Sequence, residues 1–213
     1  MRMLVSLLLV LAAGIGALYQ GTDGFQALTA ESARRLAIAR APRPLPDVTL
    51  EFASGRRQSL AQALRADGRI AIVDFIYTRC NAVCSAMGAE LQQLQHALQA
   101  AGLERQVRLL SISFDARDQP AELDAYARRM RAQPAVWQFA GVAERPQRQA
   151  LLDAFGIVVV PAPLGEFQHN AAFHIVDADG KLLGIVDYDA PQAALALSRQ
   201  AAERVAASSE RQS

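Results

Sequence analysis

The chain has little of what most often marks a function. Its 213 residues include two cysteines, three histidines and one tryptophan, and aromatics make up 6%. Two cysteines allow at most one disulfide, so cross-links cannot replace a hydrophobic core. The formal net charge is +1, and the arginines are scattered among acids. A basic stripe is missing, and with it the usual footprint of a nucleic-acid partner. Internal repeats and low-complexity blocks are also missing. A hydrophobic fraction of 52% excludes a disordered chain. This length accommodates one well-buried domain plus an appendage.

Charge is scarce at the N-terminus as well. Arg2 is the only charged residue before Asp23, and Met3 to Thr22 are uncharged. Leu4 to Leu11 are almost wholly aliphatic. Such a run fits either a short membrane anchor or a signal peptide. Its length, and the lack of a clean cleavage site, favour an anchor over residues 1–22. Either way the remainder is expected to be exported.

What is present is a close cysteine pair, Cys80 and Cys84, in Phe75-Ile76-Tyr77-Thr78-Arg79-Cys80-Asn81-Ala82-Val83-Cys84. The pair follows an apolar, strand-like run and stands where a helix is expected to begin. At helical i,i+4 spacing both sulfurs share one face, with Cα atoms about 6 Å apart. That separation lies inside the disulfide window of about 4.4–6.8 Å. The pair can close a disulfide or grip a soft metal ion. So short a loop removes little chain entropy, which makes the bond a weak staple and a better switch. A helix N-terminus and the neighbouring Arg79 are expected to favour the thiolate.

Elsewhere the sequence alternates. Residues 23–46 read as a spacer, with a helix start at Thr29 and a stiff stretch from Pro42 to Pro46. Strands are expected at Val48–Phe52, Ile70–Tyr77, Val107–Phe114, Trp137–Val142, Phe173–Val176 and Leu182–Tyr188. Helices are expected at Gln58–Arg65, after the cysteines up to Gly102, at Ala121–Gln133, at Pro146–Phe155 and from Pro191. The pattern predicts an α/β domain over residues 47–207, with a central mixed sheet flanked by helices and a flexible tail at 208–213. A cysteine pair at a strand-to-helix turn, with a closing hairpin and helix, is the layout of a thioredoxin-like fold.

The histidines are His96, His169 and His174. His96 falls off the helical stripe of Leu91, Leu94 and Leu98 and reads as a surface residue. His169 and His174 are five apart, so on extended backbone they face opposite sides and do not share an ion. By spacing alone each reads as structural or surface. Two thiolates and one imidazole would make a three-donor soft site. That suits copper better than structural zinc, which wants four protein ligands.

The cysteine segment resembles that of the SCO/SenC family of copper chaperones for cytochrome c oxidase, which carries Phe-x-Tyr/Phe-Thr-x-Cys-x-x-x-Cys. Ser111 to Asp115 with Arg117-Asp118-Gln119-Pro120, and Phe155 to Pro161, resemble further family segments in the same order. His169 stands where the family's copper histidine stands. Asn81 and Ser85 replace family prolines, and Gln168 replaces the Asp that usually precedes the histidine and would orient it. The resemblance implies Cys80, Cys84 and His169 as ligands for copper, Cu(I) or Cu(II). It also implies a membrane-tethered metallochaperone on the periplasmic side of a bacterial inner membrane. Its partner would be the copper-centre subunit of cytochrome c oxidase, with other copper chaperones or thiol reductants as further partners. The alternative is a thiol–disulfide oxidoreductase in which Cys80 and Cys84 are the redox pair and no metal is obligatory.

Overall fold

The uncharged N-terminal stretch winds into α1 (Arg2–Gly21). The computed structural model describes residues 2–25, 27–80 and 83–210, and it divides into two units, Met1–Pro42 and Arg43–Ser213. In the first unit, α1 exposes Val5, Leu7, Leu9, Val10, Leu11, Ile15 and Leu18. Among the described residues no helix is long and apolar enough to cross a membrane. A helix therefore forms where the anchor is expected, but an anchor does not follow from the structure. The predicted spacer is partly ordered. Thr29 caps α2 (Ala30–Arg40), accepting from the Ser32 N–H at 3.0 Å while the Ser32 hydroxyl takes the Thr29 N–H in return.

The second unit starts earlier than residue 47. β1 (Arg43–Pro44) comes from the stiff proline stretch and lies at the edge of the sheet, where a missing N–H costs no ladder bond. β2 (Thr49–Phe52) and β3 (Arg57–Ser59) form a hairpin, which leads into α3 (Leu60–Asp67). β4 (Ile70–Ile76) follows, with every residue buried. Then come α4 (Val83–Ala100), β5 (Val107–Ser113), α5 (Pro120–Arg129), β6 (Trp137–Gly141) and α6 (Arg145–Phe155). A small separate hairpin, β7 (Val159–Pro161) and β8 (Phe167–His169), precedes β9 (Ala172–Val176), β10 (Lys181–Asp187) and α7 (Pro191–Glu210). The last helix runs through Ser208, where the sequence predicts a frayed tail; residues 211–213 lie outside the described residues.

The main sheet is mixed, in the order β1-β10-β9-β4-β5-β6-β2-β3. β4, β5 and β6 run parallel, and β9 pairs antiparallel to β4. Both faces of β4 are covered, which is why its sequence is apolar almost without alternation. On one face Ile70, Ile72 and Ile76 pack in a cluster with Leu91, Leu94 and Leu98 of α4, Tyr126 of α5 and Ala194 of α7. On the other face Phe75 meets Phe155 of α6, with ring centroids 5.0 Å apart. The expected α/β class, mixed sheet and flanking helices are all present. The parallel strands put the β4–α4 and β5–α5 turns side by side at one end of the sheet, and the cysteine loop lies there.

Candidate functional site

The site is built where β4 runs out. Thr78 is fixed from the neighbouring turn: Asp118 accepts its backbone N–H at 2.8 Å and its hydroxyl at 2.7 Å. Ser113 Oγ donates to the same carboxylate at 2.6 Å. Arg129 donates to the Thr78 carbonyl at 3.0 Å. The loop is thus held by a buried carboxylate before the chain reaches Cys80.

Arg79 does not serve as a free cation beside the thiol. Its guanidinium donates to Asp115 at 2.7 Å. Arg117 donates to the same carboxylate at 2.8–3.0 Å. Burial pushes the Asp115 carboxyl above its ordinary value, while the Arg79 hydrogen bond pulls the other way. Cys80 is half-buried and disulfide-bonded. The only other cysteine is Cys84; its side chain, that of Ser85, and Asn81 lie outside the described residues. Cys84 itself falls in the first turn of α4, which starts at Val83, whereas Cys80 stands before the helix on non-helical backbone, so the two are not the i and i+4 positions of one helical turn that the spacing predicts.

His169 ends β8 and pairs in register with Val159. Its half-buried ring packs edgewise on Phe114, with centroids 5.0 Å apart, and stands 6.4 Å from the ring of Tyr77. Tyr77 is three residues before Cys80, so the fold brings the histidine hairpin to the cysteine loop through this aromatic bed. The His169 Nδ1 lies 3.0 Å from the Asn170 carbonyl oxygen. A carbonyl only accepts, so Nδ1 carries the proton and Nε2 presents a lone pair. Nε2 is buried and makes no hydrogen bond. Desolvation lowers the pKa of His169 below its ordinary 6.5, with the Asn170 contact opposing it, which favours the neutral, donor form. The Asn170 carbonyl therefore supplies an orienting partner that Gln168, exposed on the strand, does not. Asn170 is itself fixed: its amide donates to the Gly156 carbonyl at 2.9 Å and its oxygen accepts from Val158 N–H at 2.7 Å.

The other two histidines are elsewhere. His96 is exposed on α4. His174 is fully buried in β9, between Phe75 and Phe155, with Nδ1 3.3 Å from the Val73 carbonyl. Among the described residues no cluster of three or more His, Cys, Asp or Glu is placed to hold a metal ion.

A model of the SCO1/SenC family matches residues 50–202. The chain belongs to the SCO1/SenC family. It is similar to a SCO1 protein homolog of Bacillus subtilis (strain 168), with 32% identity over 139 residues, covering 63% of this chain and 69% of that protein. It also matches the structure of BsSco, a member of the Sco family of cytochrome c oxidase assembly proteins in which a disulfide switch was identified. There the TM-score is 0.65 at 25% identity, over 76% of this chain and 95% of the other. Bradyrhizobium japonicum ScoI, solved with copper bound, matches at TM-score 0.59 and 21% identity, over 74% of this chain and 98% of that one. At that identity the likeness is one of fold. These neighbours share the thioredoxin-like architecture that the cysteine turn and closing hairpin predict.

Sequence reasoning finds the cysteines and His169, but not Tyr77, Asp118, Arg117 or Asn170 as partners of the site. Asp118 and Arg117 stand in a segment the family resemblance picks out. The partner of Tyr77 is 89 residues away, and no local pattern announces it.

Proposed function

We propose that this SCO1/SenC chain carries copper as cargo on Cys80, Cys84 and His169. The observation that carries the proposal is His169 Nε2: a buried, neutral, hydrogen-bond-free nitrogen on a hairpin packed against the cysteine loop. Leaving such an atom unpaired costs about 1–3 kcal/mol, a cost that a metal would offset. Two thiolates and an imidazole suit either oxidation state of copper. The recipient would be the binuclear copper centre of a cytochrome c oxidase. There the protein would deliver copper or return that centre's cysteines to dithiols.

The exposed aliphatic side chains of α1 support tethering to a membrane, with residues 43–213 on the exported side. In a bacterium that side is the periplasm, where a disulfide at Cys80 is stable. The test of the site is the absorption spectrum of the Cu(II)-loaded protein. Thiolate-to-copper charge transfer is expected in the wild type, with its energy changed in His169→Ala. An identical spectrum in that variant would remove His169 from the site.

A second reading has one observation in its favour. Cys80 is already disulfide-bonded, so the chain could act as a thiol–disulfide oxidoreductase. From that oxidised state Cys80 and Cys84 would gain two electrons and two protons as a substrate dithiol loses them and closes its own disulfide. Turnover by the metal-free protein that needs Cys80 but not His169 would favour this reading.

A further inference from the structure

Among the described residues the hairpin that carries His169 pairs with no strand of the main sheet, and β7 and β8 pair as strands only with each other. Val160 and Pro161 are exposed, and Leu164 at the turn is wholly so. An isolated two-stranded hairpin is marginal in water, so something else must set its position. Phe114 packs on Phe167 and His169, with centroids 5.6 and 5.0 Å away, and two further side chains add polar anchors that connect to the cysteine loop.

The first is Tyr77. Its hydroxyl donates to the Glu166 carboxylate at 2.5 Å and lies 3.3–3.4 Å from the Phe167 carbonyl and N–H. Its ring packs edgewise on Phe167, with centroids 5.2 Å apart. The second is Arg117. Its guanidinium donates at once to Asp115, at 2.8 Å, and to the Gly165 carbonyl, at 2.9 Å, and stands over the Phe167 ring at 5.6 Å. Because Asp115 also holds Arg79, a continuous chain runs Arg79–Asp115–Arg117–Gly165 from the residue before Cys80 to the hairpin turn. Gly165 fits this role. Its φ is +75°, and a Cβ there would meet Arg117 Nη1 at 3.1 Å.

We propose that Tyr77 and Arg117 are positioning residues that hold the His169 hairpin over the cysteine loop and so set how tightly the site grips copper. The proposal rests on the copper reading above. Neither residue donates to the ion; each fixes a donor that does, as outer partners of metal ligands do. Their anchors are separate, one through the phenol and one through the guanidinium, so the loss of both should release the hairpin more than the loss of either.

The test uses Tyr77→Phe, Arg117→Gln and the double variant. Amide hydrogen exchange is read on the metal-free protein and Cu(I) affinity on the reduced protein, with His169→Ala as reference. Tyr77→Phe keeps the ring and removes only the hydroxyl. Exchange across residues 162–169 should accelerate about threefold in Tyr77→Phe and about tenfold in Arg117→Gln, and further in the double variant, while β4 and β5 keep their protection. Cu(I) affinity should fall by similar factors. Wild-type hairpin exchange and wild-type affinity in the double variant, beside weakened binding in His169→Ala, would overturn the proposal. Unchanged affinity in His169→Ala would instead remove the copper reading on which it rests, and the exchange data would still show whether the two residues hold the hairpin.

Discussion

Thr78 and Asp118 are forty residues apart in sequence and joined twice, through the Thr78 N–H at 2.8 Å and its hydroxyl at 2.7 Å. With Ser113 as a third donor at 2.6 Å, one buried carboxylate ties the cysteine loop to the turn after β5. Asp118→Ala strands these donors and is expected to cost about 3 kcal/mol. Urea denaturation of the protein checks this. A loss below about 0.5 kcal/mol would mean that the carboxylate does not support the loop.

Asp74 makes stability depend on pH. It lies wholly buried on β4, accepts Ser111 Oγ at 2.6 Å, and is pushed up to about 7 by desolvation. Trp137 Nε1 donates to the same Ser111 hydroxyl at 2.8 Å, so the acid stands in a fixed network. A carboxyl raised in the folded state is stabilising in its neutral form below the ordinary 3.8. That stability is lost as pH rises through about 7. Asp74→Asn should therefore flatten the fall in stability between about pH 4 and pH 7, a difference of about a few kcal/mol at most. Parallel pH profiles for wild type and variant would contradict the assignment.

His174 gives a control for His169. Packed between Phe75 and Phe155, it belongs to the core. His174→Ala should cost about 3 kcal/mol in stability, as other large-to-small core changes do, while the folded protein keeps its copper stoichiometry. Calorimetry and metal analysis on the same sample separate the two effects. Loss of copper from fully folded His174→Ala would assign a role that the burial of this residue argues against.

Much of this was legible in the sequence. The near-continuous apolar run at Ile70 to Ile76 marks a strand covered on both faces, and such a strand lies at the sheet centre. The cysteine spacing suggests one helical turn from Cys80 to Cys84; α4 begins at Val83, so Cys84 is in that turn and Cys80 precedes it. The β7–β8 hairpin was not legible. Val159-Val160-Pro161 carries no alternation, Pro161 argues against a strand, and the turn depends on a left-handed Leu164 (φ 61°) that propensity does not predict. The partners of the site were hidden for another reason. Arg79 looks like a thiolate-stabilising cation until Asp115, 36 residues on, is seen to engage it. The missing Asp before His169 looks like a lost orienter until the Asn170 carbonyl is found in that role. Both depend on tertiary proximity, which spacing along the chain does not encode.

The most direct measurement is Cu(I) binding to the reduced protein, compared among wild type, Cys84→Ser and His169→Ala by competition with a chromophoric chelator. One tightly held ion per wild-type chain is expected, with affinity lowered at least tenfold by either substitution. Wild-type affinity in both variants would contradict a site made of Cys80, Cys84 and His169.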